Sequence, residues 1–522
     1  MIVRQNTSSA DAEIVPVLDF GGQYTQLIVR RVREAGVYAK LVSPQVTVEE
    51  LKAMNPRGII LSGGPGSVTD ENAPVCDAEI FTLGVPILGI CYGMQLGAKL
   101  LGAEVRPTPE REYGRTLLSL TRDNDLFTGL PRQISVWMSH GDQVDSLSED
   151  FLDLAATKTC RVAAVAHKEK PFYGLQFHPE VTHTPHGQEI IRNFLYRICG
   201  CEGNWQMSGF AELAVERIRQ QVGDGKVVCG VSGGVDSTVC ATLLNLALGD
   251  QLTCIFVDNG LLRENERQAV ENALRDHLSL NLRVIDASEQ FLEDLKGITE
   301  PQEKRRRIGH RFIEVFSEVA KELADVSYLA QGTLYPDVIE SGHGHAGMSA
   351  NIKLHHNVGG LPDELGFDLV EPLRDLFKDE VRTLGEVLGV PSDLVHRHPF
   401  PGPGLAVRIV GEVTPERLKI LRACDEILLD EITAAHLYRH LAQVFAVLLP
   451  IQSVGVMGDG RTYESVVAIR AVESQDFMTA DWARIPFDVM SVISNRIINE
   501  VQGVNRVVYD ISSKPPATIE WE

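Results

Sequence analysis

Short β-branched runs alternate with amphipathic helical segments twice along the chain, and that alternation dictates the fold class. From residue 13, "EIVPVLDF" reads as a strand and "YTQLIVRRVREAG" as a helix closed by glycine. "GIILSG" and "PILGI" are further strands, and "GMQLGAKLLG" is again helical. A second series follows the helical "SGFAELAVERIRQQVG": "KVVCGVS" predicts a strand, a helix runs to about 248, and "TCIFVDN" and "LRVIDAS" are strands. Strands joined through helices form parallel sheets with helices on both faces. The two series therefore predict α/β domains at 13–204 and 205–397. The proline-rich "HRHPFPGPGLAVR" marks the next boundary, and 398–522 mixes strands such as "ESVVAIRAVE" with helices, as a smaller α+β domain does.

Composition narrows the function classes. With 71 acidic against 49 basic residues the net charge is −22. That disfavours broad binding to nucleic acid or to an anionic membrane surface. No run approaches the ~20 apolar residues of a spanning helix, and "MIVRQNTSSADAE" lacks the apolar stretch of a secretory signal. Nine cysteines without a CxxC pair suit a reduced compartment, so a cytoplasmic protein is expected. Cys76, Cys229, Cys240, Cys254 and Cys424 are expected to be small buried hydrophobes.

"PILGICYGMQLGAKL" sets Cys91 between a strand and a helix, where a tight turn projects a nucleophile. The unpaired N–H groups of a helix N-terminus favour its thiolate. "YGLQFHPEV" carries His178 and Glu180 two apart on a strand-like run, which predicts both side chains on one face. A thiol, a histidine and an orienting carboxylate follow the logic of acyl transfer. The glycine turn "LSGGPGS", with the Tyr92 N–H, offers oxyanion donors.

These three segments resemble the class I glutamine amidotransferases. The resemblance implies a flavodoxin-like glutaminase domain in which Cys91 attacks the amide carbon of glutamine and releases ammonia. His178 would act as base and acid, and Glu180 would orient it. Gly64 and Tyr92 match the oxyanion positions, and Gln95 lies where glutamine is held.

"GVSGGVDSTVC" is a strand, a glycine turn and a helix beginning near Asp236. Glycine N–H groups and serine hydroxyls at a helix N-terminus make an anion cradle. The lysine of the GxxxxGK[ST] loop is absent. Asp236 stands there instead, and an aspartate beside phosphates makes sense if Mg²⁺ bridges the two. "SGGVDS" resembles the N-type ATP pyrophosphatases, of Rossmann-like fold, which transfer AMP to an oxygen and release pyrophosphate. Ser232, Gly233, Gly234, Val235, Asp236, Ser237 and Thr238 would line the pyrophosphate loop. Val257, in "IFVDNG", would pass the nucleoside of ATP.

A glutaminase and an adenylating pyrophosphatase in one chain suggest one reaction, in which ammonia displaces AMP from an adenylate. The combination is similar to the glutamine-hydrolysing GMP synthase family, from "LDFGGQYTQLI" to "YDISSKPPATIEWE". That resemblance implies glutamine, ATP and xanthosine 5′-monophosphate (XMP) as substrates, with Mg²⁺, and a C-terminal dimerisation domain that makes a homodimer. Arg305, Lys514 and Glu520 match XMP-binding positions. Asp337, Glu340, Lys353, His355, His356 and Asn357 match a lid over the ATP site. The chain departs from the family pattern at Gly22, where serine is usual, and at Leu354, where a small hydroxyl residue is usual.

Rival readings share single motifs. NAD synthetase and asparagine synthetase use "SGGVDS" with glutaminases of another nucleophile geometry, and CTP synthase shares the cysteine domain but uses phosphoryl transfer. A tRNA-thiolating enzyme should be basic and carry further catalytic cysteines. A non-catalytic nucleotide sensor should lack Cys91, His178 or Asp236, and all three are present.

Overall fold

The computed structural model describes residues 13–323, 325–342, 367–457, 460–474, 477 and 479–522. The chain divides into two units, with the boundary between Gly209 and Phe210.

The first unit is built on one sheet of nine strands: β1 (Ile14–Leu18), β2 (Tyr38–Val42), β3 (Ile59–Leu61), β4 (Ile87–Ile90), β5 (Glu104–Leu120), β6 (Gln133–Ser146), β7 (Phe151–Ala156), β8 (Ala164–His167) and β9 (Phe172–Leu175). Its order is β2-β1-β3-β4-β9-β8-β7-β5-β6. The first five are parallel, in the doubly wound order of flavodoxin-like sheets. Beyond β9 the pairing is antiparallel, so the sheet is mostly parallel, as a doubly wound domain of this kind is expected to be. The reason for the antiparallel pairs lies in the connections, since β5 to β9 follow one another without a crossover helix to force parallel pairing. Strand β4 is buried at every residue, as a central parallel strand should be. Leu61, Ile87, Tyr92 and Met94 meet in the core directly behind the turn that carries Cys91.

The second unit holds a parallel sheet of β10 (Lys226–Gly230), β11 (Leu252–Asp258), β12 (Leu282–Asp286), β13 (Val326–Ala330) and β14 (Asp368–Val370), ordered β12-β11-β10-β13-β14. The order reverses at β10, and open α/β sheets bind ligands at the carboxyl ends of strands flanking such a reversal. A third sheet joins β15 (Gln443–Met457), β16 (Gly460–Glu473) and β17 (Asp481–Trp482) antiparallel, with β18 (Val504–Asp510) parallel to β16. One continuous core serves both sheets: Val228, Ile255 and Phe316 belong to the same buried cluster as Leu421, Val444, Val467 and Ile493. The Pro301–Glu322 and Pro415–Ala434 helices carry that core between the sheets. Both start with proline and a side-chain cap, from Glu300 and Thr414 respectively, which fixes where each begins.

Candidate functional site

Cys91 ends β4 and begins the Tyr92–Leu100 helix in a backbone conformation of φ 51°, ψ −104°. A positive φ at a residue with a side chain is strained, and such strain persists only where the surroundings over-determine it. Here the Cys91 N–H donates to the Leu175 carbonyl at 2.7 Å, and the Gly93 N–H to Ser62 at 3.0 Å. The two bonds pin the turn from both sides.

The Cys91 side chain and the His178 imidazole meet beside Gly63, close enough for the sulfur to bear on the ring's charge. His178 Nδ1 lies 2.7 Å from Glu180 Oε1, and since a carboxylate only accepts, the hydrogen sits on Nδ1 and Nε2 is left for the sulfur. All three side chains are buried. Burial alone would push the imidazole down, but the charge of Glu180, with Cys91, holds it well above its ordinary value. The imidazolium is thereby favoured beside the nucleophile. The pair is not on a strand as its spacing suggests: β9 stops at Leu175, and His178 and Glu180 flank Pro179 in a bend. The Thr184 hydroxyl donates to the His178 carbonyl at 2.7 Å, and Arg31 Nε to the Glu180 carbonyl at 3.0 Å.

Gly64 packs under the Tyr92 ring, where an added Cβ would lie 2.9 Å from the ring carbon, so only glycine brings that backbone so close to the nucleophile turn. As the first helical residue, Tyr92 has an N–H with no intrahelical acceptor. Gln95 is buried, and its Nε2 donates to the Asp142 carbonyl at 2.8 Å and to Gln176 Oε1 at 3.1 Å. Gln176 Nε2 in turn reaches Cys91 Sγ at 3.7 Å, and Sγ lies 3.6 Å from the Ser139 carbonyl. Gln176, Ser139 and Asp142 were not singled out from the sequence. Gln176 stands in the "LQFHPE" segment, whereas Ser139 and Asp142 act through backbone carbonyls, which no side-chain pattern announces.

Replacing Glu180 tests the orientation. Glu180→Gln should lower kcat/KM for acyl transfer at Cys91 roughly 10²–10⁴-fold, as loss of the orienting carboxylate does in other triads. Because Glu180 raises the histidine pKa, its removal should move the alkaline limit of activity to lower pH. A pH–rate profile unchanged in position would show that Glu180 does not act on His178.

In the second unit, the turn after β10 leads into the Val235–Leu248 helix at the sheet reversal. The Ser232 hydroxyl accepts from the Gly234 N–H at 3.3 Å and lies 3.2 Å from the Ser237 hydroxyl, which donates to the Gly234 carbonyl. Gly233 has φ +73° and a Cβ there would lie 2.5 Å from Val270, so no other residue fits the turn. Arg397 Nη1 donates to the Gly233 carbonyl at 3.1 Å. Val235 and Thr238 face the core, and Val257 is buried near the end of β11. A cavity of about 460 Å³ opens where β11 ends, with Asp258, Arg263, Glu266 and Arg267 in its wall.

Asp236 Oδ2 is paired with Lys378 Nζ at the start of the Lys378–Val387 helix, while its Oδ1 is buried without a hydrogen-bond partner. An acceptor-only oxygen left open beside a glycine turn at a helix N-terminus fits a hard divalent cation. Lys378 is invisible to local sequence reasoning, because its partner lies 142 residues away.

Asp337 caps the Tyr335–Gly342 helix by accepting from the Leu334 N–H at 2.9 Å, and Glu340 lies within that helix. Lys353, Leu354, His355, His356 and Asn357 lie outside the described residues. Arg305 donates to the Glu522 backbone oxygen, Lys514 Nζ to the Phe477 carbonyl at 2.7 Å, and Glu520 accepts from buried Arg408 and from Gln443. Arg305 and Glu520 thus both converge on the 520–522 tail, and Lys514 does not.

Residues 16–198 match the family described as "Glutamine amidotransferase class-I", 211–306 the family "NAD synthase" and 430–521 the "GMP synthase C terminal domain". Among relatives, a "GMP synthase [glutamine-hydrolyzing]" of Acetivibrio thermocellus is 55% identical over 98% of this chain and 99% of its own. Proteins of the same description are 56% identical in Caldanaerobacter subterraneus, over 98% of this chain and 99% of that one, and 54% identical in Vibrio parahaemolyticus, over 99% and 100%.

Proposed function

The chain belongs to the glutamine-hydrolysing GMP synthases, and from that premise we propose how its residues divide the work. Cys91 attacks the carboxamide carbon of glutamine while His178 receives and returns the proton, and Glu180 holds the imidazole. The N–H groups of Gly64 and Tyr92 take the developing oxyanion, and Gln95 holds the substrate through the 139–142 segment. Ammonia leaves, and water releases glutamate from the thioester.

In the synthetase, an oxygen of XMP attacks the α-phosphorus of ATP and pyrophosphate departs. Ammonia then displaces AMP, giving GMP. The 232–238 turn takes the pyrophosphate portion and Val257 flanks the nucleoside. Mg²⁺ held by Asp236 Oδ1 would offset the phosphate charge. Lys378, released from Asp236, is placed to serve an oxygen of the triphosphate. Arg305, Lys514 and Glu520 bind XMP, and Asp337, Glu340, Lys353, His355, His356 and Asn357 form the lid. The division into 13–204, 205–397 and 398–522 is a division of these tasks. The observation that carries the reading is the open Asp236 oxygen beside a glycine turn at the sheet reversal, in a chain whose other unit buries a Cys–His–Glu triad.

We place the enzyme in the cytoplasm, where all nine of its thiols, none of them bridged, are stable. Among the described residues no helix is long and apolar enough to cross a membrane. A homodimer is inferred from the third sheet, where Val454 and Val456 on β15 and Tyr463, the cross-strand partner of Val454 on β16, stand exposed on one face. A contiguous apolar face of that kind marks an association surface. Val456→Asp should shift the sedimenting species from dimer to monomer; a wild type that sediments as a monomer at micromolar concentration would remove the dimer.

A further inference from the structure

Glu112, His140 and Cys160 meet in the interior of the first unit, outside the Cys–His–Glu triad. Glu112 on β5 and His140 on β6 are direct cross-strand partners. Cys160 comes from the turn between β7 and β8. Their ligand atoms, Glu Oε, His Nε2 and Cys Sγ, all lie within 4.8 Å of one another. The three side chains are at least nine-tenths buried, at 8%, 4% and 0% exposure.

The hydrogen bonds around the cluster hold its members from outside, Cys160 through the Val162 carbonyl at 3.4 Å, and leave the His140–Glu112 contact to be bridged. His140 Nδ1 is 2.9 Å from the Asp142 carbonyl, which only accepts, so the ring hydrogen sits on Nδ1. With the ring neutral, the Nε2 lone pair faces Glu112 Oε2 at 3.4 Å, so this buried contact needs either a proton or a cation between the two atoms. Glu112 Oε1 is already taken by the hydroxyls of Thr157 and Thr159. Thus each ligand is oriented from behind by a further partner, the arrangement that metal-binding histidines and carboxylates share.

We propose that Glu112, His140 and Cys160 form a binding site for a borderline divalent transition metal of the Zn²⁺ class. Imidazole nitrogen, thiolate sulfur and carboxylate oxygen are the donor set of such an ion, and a hard cation would not select the sulfur. Bonds of about 2.0 Å to nitrogen and 2.3 Å to sulfur require the ligands to close by about 1 Å, shared among the side chains. On binding, the Cys160 thiol proton leaves to solvent and an S–metal bond replaces the S–H bond. The bound ion would brace the 139–142 segment, whose carbonyls contact Cys91 and Gln95.

Co²⁺ titration of the full-length Cys91→Ala protein tests the site, that background removing the catalytic thiol as a competing ligand. One equivalent should bind, with the near-ultraviolet charge-transfer band of a thiolate–Co²⁺ bond, and Zn²⁺ should displace it. Adding Cys160→Ala should abolish the band, and Glu112→Gln, nearly isosteric, should weaken binding at least ~10-fold. Far-ultraviolet circular dichroism of each variant reports folding. If no band forms with Cys160 intact, or if it survives in the folded Cys160→Ala variant, the metal site is wrong. In the first case a shared proton must satisfy the His140–Glu112 pair.

Discussion

Cys91→Ala should abolish GMP formation from glutamine, by ~10³-fold or more, while leaving formation from ammonium unchanged. The size follows from the role: removing the nucleophile of an acyl-transfer triad forfeits nearly everything the triad supplies. The selectivity follows from placement, since Cys91 belongs to the first unit and the Ser232–Thr238 turn to the second. Alanine should also relax little of the fold, because the turn is pinned by backbone bonds from Cys91 and Gly93 rather than by the sulfur. The assay follows XMP conversion with ATP and Mg²⁺, using each nitrogen donor in turn. Retained glutamine-dependent synthesis would exclude Cys91 as nucleophile. Loss of both activities in a folded variant would mean that the thiol also serves the synthetase.

The second large effect runs the other way. Asp236→Asn should reduce synthesis from both donors by roughly 10²–10³-fold, the cost of losing one preorganised electrostatic partner at developing charge. Glutamine hydrolysis, measured as glutamate release, should survive. Asparagine keeps the shape of the side chain and can still meet Lys378 through its carbonyl oxygen, so the substitution removes charge more than structure. ATP cleavage to pyrophosphate is the direct readout. Wild-type pyrophosphate release by the variant would sink the assignment of Asp236 to the nucleotide.

The chemistry of this chain is more legible in its sequence than its geometry is. Cys91 sits between an apolar strand and a helix, and the structure places it there because a four-residue buried strand must turn at once into a helix. "SGGVDS" is likewise local: its turn and its hydrogen bonds close within six residues. His178 and Glu180 are found by residue type, yet the period-two argument for their shared face fails, because the strand ends at Leu175 and the chain bends from Gln176 onward. The long antiparallel pair β5 and β6 escapes notice because β5 mixes prolines, glycine and charges along its length and shows no periodicity. In β6 alternation is present, with Ile134, Val136, Met138 and His140 buried in turn, and it reads correctly in retrospect. Partners brought together from distant segments leave no mark in any window: Lys378 on Asp236, Arg397 on Gly233, Arg408 on Glu520.

The core shared by the two sheets of the second unit bears on how such an enzyme can be cut. A gene split or a proteolytic nick ahead of the Met207–Val222 helix separates polypeptides that each keep the core cluster of their own unit. A cut near residue 398 would instead strip Leu421, Leu428, Val444 and Val467 from Val228, Ile255 and Phe316, leaving two wet apolar faces in place of one dry interior. The glutaminase is therefore the detachable part. The synthetase and its C-terminal sheet, by contrast, share one interior and must fold as one piece.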